Sequence, residues 1–134
     1  MPIENHSFCW NGIATSDPES AKSFYSAAIG WNATEHSFPN GETSTMFIAS
    51  DRPRAHLRGT EPGEPDQWTS YLRVEDVDAS VAAAVKAGGS EFIPPTDIAP
   101  GRFAAVRSPS GAGLCLFREG DEAADNAPDE VGGV

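Results

Sequence analysis

Four polar side chains stand among aromatic residues at spacings that suit chemistry on a bound molecule: His56, Thr69, Arg73 and Cys115. An imidazole exchanges a proton near neutral pH, a guanidinium grips a carboxylate through paired hydrogen bonds, and a thiolate is a nucleophile or soft metal ligand. Residues two apart on a strand share a face. Thr69, Tyr71 and Arg73 therefore fall together, as do Arg54, His56 and Arg58, then Gly113, Cys115 and Phe117, and Phe8, Trp10, Gly12 and Ala14. Trp10, Tyr71 and Phe117 would supply aromatic walls, and sparse polar groups between such walls are the usual make-up of a small-molecule site. Each candidate also has a plainer reading. His56 is then a strand-end residue between arginines, Arg73 pairs with Glu75, Cys115 is a packed thiol with no base beside it, and the aromatics are core. No catalytic residue is assigned by these spacings.

The elements that must position these residues come as a repeat offset by 59. Subtracting 59 carries Asp76 to Asp17, Ala87 to Ala28 and Gly89 to Gly30, and fixed-period self-similarity marks a duplicated supersecondary unit. Asp17 before Pro18 and Glu19 is a helix start, and Gly30 a left-handed stop, so a helix is expected near 17–29. Ala21, Phe24, Tyr25 and Ala28 form its apolar face. Asp76 opens the second helix, near 76–87, and Gly88 and Gly89 end it. Strands are expected over 8–15, 31–38, 42–49 and 54–58, then 68–74, 91–93, 102–107 and 113–117, with turns at 39–41, 50–53 and 108–111. Pro94 to Gly101 reads as a long loop that prolines keep from pairing. The linker is 59–67, and each half is β-α-β-β-β. Ile13, Leu72, Val74, Leu114 and Leu116 are the positions expected to pack against the helices.

The chain has 134 residues and a net charge of −11, from 9 basic and 20 acidic side chains. That balance repels phosphate backbones and anionic lipid, so neither nucleic acid nor a membrane is an expected partner. No apolar run approaches the ~18 residues of a membrane span. The start, Met1 to His6, has no basic and then apolar leader pattern. Cys9 and Cys115 are too few and too far apart for a disulfide framework or zinc motif, and a cytoplasmic location is expected. From Glu119 to the end six residues are acidic and none is basic, so 119–134 reads as a solvated acidic tail.

Asp17 to Tyr25 followed by Gly30 and Trp31, the Val74 to Asp78 helix entry, Gly88 and Gly89, Gly101 and Arg102, and Ser108 to Ala112 together resemble the vicinal-oxygen-chelate superfamily. That group holds glyoxalases, extradiol dioxygenases and bleomycin-resistance proteins. The similarity spans 6–118, as modules 6–58 and 68–118, and points to a glyoxalase-like or hydroxylase-like branch poor in metal ligands. The resemblance implies an α+β fold in which two βαβββ modules form a cupped mixed sheet around a cavity. It places the family's metal-ligand positions, on the first and last strands, at Trp10, His56, Thr69 and Cys115. Indole cannot ligate, a Thr hydroxyl is a poor donor, and one imidazole with one thiol falls short of a catalytic site. No metal and no cofactor is therefore expected. The expected function is metal-independent binding of a partly aromatic metabolite or antibiotic by Trp10, His56, Thr69, Tyr71, Arg73, Cys115 and Phe117, in a homodimer. The alternatives are a metal-dependent lyase, isomerase or dioxygenase of the glyoxalase type, and a non-catalytic dimeric module.

Overall fold

In the computed structural model, residues 4–39, 41, 43–98 and 101–120 are described. The elements are β1 (Phe8–Thr15), α1 (Pro18–Ile29), β2 (Asn32–Ser37), β3 (Thr43–Ala49) and β4 (Arg52–Gly59). Then follow β5 (Gln67–Arg73), α2 (Val77–Lys86), β6 (Ser90–Ile98), β7 (Gly101–Arg107) and β8 (Gly113–Glu119). The order βαβββ thus occurs twice, in an α+β fold with mixed pairing. The chain forms two compact units, one of residues 11–69 and one of the described residues before 11 and from 70 onward. The division runs through β1 and β5. In the latter unit Arg73 N–H donates to the Ser7 carbonyl at 2.9 Å and His6 N–H to the Arg73 carbonyl at 2.7 Å.

In the 11–69 unit the strands lie in the order β2-β3-β4-β1, antiparallel except for the parallel β1–β4 pair. Asp17 caps α1 by accepting from Ser20 N–H at 3.1 Å, and Gly30 ends it at φ 79°. The core joins Ile13, Phe47, Ala55 and Leu57, with Ala21, Tyr25 and Trp31 against it. The expected four-residue face of α1 is corrected here: Ala21 and Tyr25 pack, whereas Phe24 and Ala28 are exposed. The physical reason is Tyr25, whose one ring reaches Phe47 at 5.7 Å, Trp31 at 6.2 Å and Trp68 at 5.4 Å. A single aromatic anchor makes the contact that two aliphatic residues share in α2.

The other unit repeats the pattern as β6-β7-β8-β5, again with one parallel pair, β5–β8. Asp76 caps α2 through Ala79 N–H at 3.0 Å. Val77 and Val81 join Val74, Ala104, Val106 and Leu116 in the core, with Leu72 and Leu114 packed on it. The helix-facing set is thus as expected. The loop expected from Pro94 is not: β6 continues to Ile98, and Asp97 pairs with Arg102. Prolines are tolerated because β6 is the last strand in its order and the register shifts between Ile93 and Thr96, so neither ring must donate into the ladder. β8 also takes in Glu119, the first residue of the expected tail, while residues 121–134 lie outside the described ones. Among the described residues, no helix is long and apolar enough to cross a membrane.

Candidate functional site

The parallel pairing of β5 with β8 sets Tyr71 beside Cys115 and Arg73 beside Phe117. The hairpin partner β7 adds Ala105 opposite Cys115 and Phe103 opposite Phe117. Tyr71, Arg73, Cys115 and Phe117 therefore share one face, opposite the leucines that meet α2. Tyr71 lies 6.4 Å from Phe103, ring to ring. Cys115 and Phe117 are each only 1% exposed, so they form the floor of this face. Phe103 was missing from the sequence expectation, although its place opposite Phe117 follows from counting back through the 108–111 turn.

Trp10 and Tyr71 are buried as well, and Cys9 Sγ donates to the Tyr71 carbonyl at 3.5 Å. Burial pushes the Cys9 thiol up to about 11, with the Glu119 charge adding to it, which makes Cys9 a packing group and not a nucleophile. Arg73 is engaged by protein acids. Its Nε and Nη2 donate to Glu119 Oε1 at 3.0 and 2.8 Å, and Nη1 donates to Glu75 Oε2 at 2.7 Å and Asn5 Oδ1 at 3.1 Å. Burial works against its charge, yet the two carboxylates outweigh that and hold its pKa above the ordinary value. The plainer reading of Arg73 is the one its contacts match, with Glu119 as an unforeseen second partner.

In the 11–69 unit His56 pairs with Gly12 on one side and Met46 on the other. A Cβ built on Gly12 would lie 2.3 Å from His56 Cε1, 2.7 Å from Nε2 and 2.8 Å from Nδ1. The imidazole therefore lies over the Gly12 backbone in space that only glycine leaves. Burial lowers its pKa from 6.5 to about 4, and the Arg58 charge pushes the same way, so the ring is neutral at physiological pH. Arg58 in turn is held by Glu64 through two bonds of 2.7 Å. Thr69 Oγ1 is buried and has no hydrogen-bond partner.

Gly12→Ala should destabilise the protein by about 1–3 kcal/mol, the cost of overpacking a filled site. Thermal melts check it, and a Gly12→Ala/His56→Ala double variant should recover part of the loss, because the clash has gone. Strict additivity of the two single variants would contradict this seat.

Among the described residues no group of three His, Cys, Asp or Glu is placed to hold an ion.

A duplicated βαβββ chain with aromatic and sparse polar residues on its non-helical faces is of the vicinal-oxygen-chelate class. The glyoxalase-like domain model matches residues 9–117, and the chain belongs to that family. It is 34% identical over 114 residues to the candidate glyoxylase CFP32 of Mycobacterium bovis, covering 81% of this chain and 42% of that one. It is also 34% identical over 109 residues to the anthracycline biosynthesis protein DauV of a Streptomyces species, covering 80% and 39%. The chain thus spans about two fifths of the length of these relatives. Methylmalonyl-CoA epimerase from Mycobacterium tuberculosis shares the fold at a TM-score of 0.55 and 16% identity, covering 93% of this chain and 97% of that one.

Proposed function

We propose that this chain binds a planar, partly apolar aromatic metabolite without a metal ion, and does so as a cytoplasmic homodimer. The observation that carries the reading is Thr69 Oγ1, a buried hydroxyl left without a partner. Such a group costs about 1–3 kcal/mol unless something answers it, and a bound oxygen or N–H would do so. Support comes from His56 in the same unit, whose neutral imidazole carries no charge to desolvate. It comes also from the similarity to a protein named for anthracycline biosynthesis, whose product class is planar and aromatic. Arg73 is left out of this reading, because its guanidinium is held by Glu119 and Glu75. Cys9 and Cys115 are buried and not joined in a disulfide, which suits a reducing compartment.

The test is Thr69→Val, a change of shape small enough to isolate the hydroxyl. It should raise the stability of the ligand-free protein by about 1 kcal/mol, by removing the unanswered group, and weaken binding of an anthraquinone probe about tenfold. Chemical denaturation and a fluorescence titration give the two numbers. A variant that loses stability and keeps its probe affinity would show that the hydroxyl serves the fold alone.

A further inference from the structure

Arg73 is a charge set on an aromatic face. Opposite it on β8 stands Phe117, the next strand sets Phe103 opposite Phe117, and Tyr71 precedes it on the same side of β5. The Arg73 side chain is only 12% exposed and that of its partner Glu119 14%. A guanidinium so placed needs an anion beside it, because an unpaired buried charge is costly. The anion it has is imperfectly matched. Nε and Nη2 form the side edge of the guanidinium, which fits the two oxygens of one carboxylate. Yet both donate to the same Glu119 oxygen, Oε1, at 3.0 and 2.8 Å. Arg58 shows the matched form: its two terminal nitrogens donate to Glu64 Oε1 and Oε2 separately, each at 2.7 Å. Glu75, the other acid on Arg73, takes Nη1 instead, is 70% exposed and is shared with Arg118 at 3.3 Å. Glu119 is the last residue of β8, and its backbone pairs with Gly101, so rotation of its side chain alone uncovers the Nε–Nη2 edge.

We propose that the Nε–Nη2 edge of Arg73 is a binding site for the carboxylate of a planar aromatic acid, with Glu119 as its built-in competitor. The incoming carboxylate takes both N–H groups, one on each oxygen, and Glu119 turns out to solvent with its charge intact. Arg73 keeps one carboxylate on that edge throughout, so no buried charge is left unpaired. The ring of the acid meets Tyr71 and Phe103, whose rings are 6.4 Å apart. Phe103 is half-buried, which leaves part of it for that contact. A tethered carboxylate competes at the millimolar effective concentration of an intramolecular group, and so sets a threshold that the acid must exceed. A neutral ligand of the same shape gains nothing from this edge. Arg73 and Glu119 belong to the unit from residue 70 onward and Thr69 to the other, so this site and the Thr69 reading stand or fall separately.

Titration of the full chain with 2-naphthoate, read by the probe's own fluorescence, tests this beside the neutral 2-naphthamide. Glu119→Gln keeps the shape of the side chain and drops its charge. It should bind naphthoate about tenfold more tightly than the wild type does, with naphthamide affinity the same in both. Glu91→Gln removes the same charge from an exposed position on β6 and should bring no gain. If Glu119→Gln fails to fold, Glu119→Asp, whose carboxylate reaches one methylene less far, should show a smaller gain in the same direction. Naphthoate affinity that is unchanged or lower in the folded Glu119 variant overturns the site, as does naphthoate that binds neither form. An equal gain for naphthamide, or an equal gain from Glu91→Gln, overturns it too.

Discussion

Lowering the pH from 7 to 4 should remove about 3 kcal/mol of stability through His56 alone. In the folded chain its pKa is about 4, because burial first, and the Arg58 charge second, oppose the imidazolium. In the unfolded chain it returns to 6.5. Between those values the unfolded state binds a proton that the folded state refuses, so stability is full above 6.5 and declines as pH falls towards 4. Each pK unit is worth about 1.4 kcal/mol, which gives the figure. The paired carboxylates Glu64, Glu75 and Asp78, whose pKa values lie below the ordinary range, lose their share only in more acid solution. Denaturation at a series of pH values should therefore show a slope between 6.5 and 4 that His56→Gln flattens. A His56 proton signal titrating near 6.5 would contradict the neutral, half-buried ring.

Trp10→Ala should cost about 3–4 kcal/mol of stability, within the range for losing a large core aromatic. At 7% exposure the indole is nearly all removed from water, and its loss leaves a void that flanking backbone cannot fill. Trp10→Phe should recover more than half of that loss, because most of the apolar volume returns. Urea unfolding measures both. A loss under about 1 kcal/mol would mean that the indole is not packed as its burial indicates.

Much of the fold was legible because duplication shows in sequence. Asp17 and Asp76 cap their helices as expected, and Gly30 takes the left-handed turn. What failed depended on partners distant in sequence. The helical spacing of Phe24 and Ala28 gave no sign that Tyr25 alone would meet Phe47, Trp31 and Trp68. Pro94 and Pro95 read as loop until β6 was seen to be a terminal strand with a register shift beneath them. In the site, strand alternation placed Tyr71, Arg73, Cys115 and Phe117 on one face. It did not reveal that Glu119 holds Arg73, or that Gly12 is the seat of His56, since both depend on pairing between strands far apart in the chain.

The claim at the centre is metal-independent capture of a planar aromatic molecule. The most direct measurement is an equilibrium titration of chelator-treated protein with an anthraquinone probe, read by quenching of tryptophan fluorescence. The wild type should bind saturably and with the same affinity whether chelator or divalent ion is present. Thr69→Val, which keeps the shape of the side chain but removes its hydroxyl, should weaken binding about tenfold. Binding that appears only after a divalent ion is added, or no saturable binding at millimolar probe, would contradict the account.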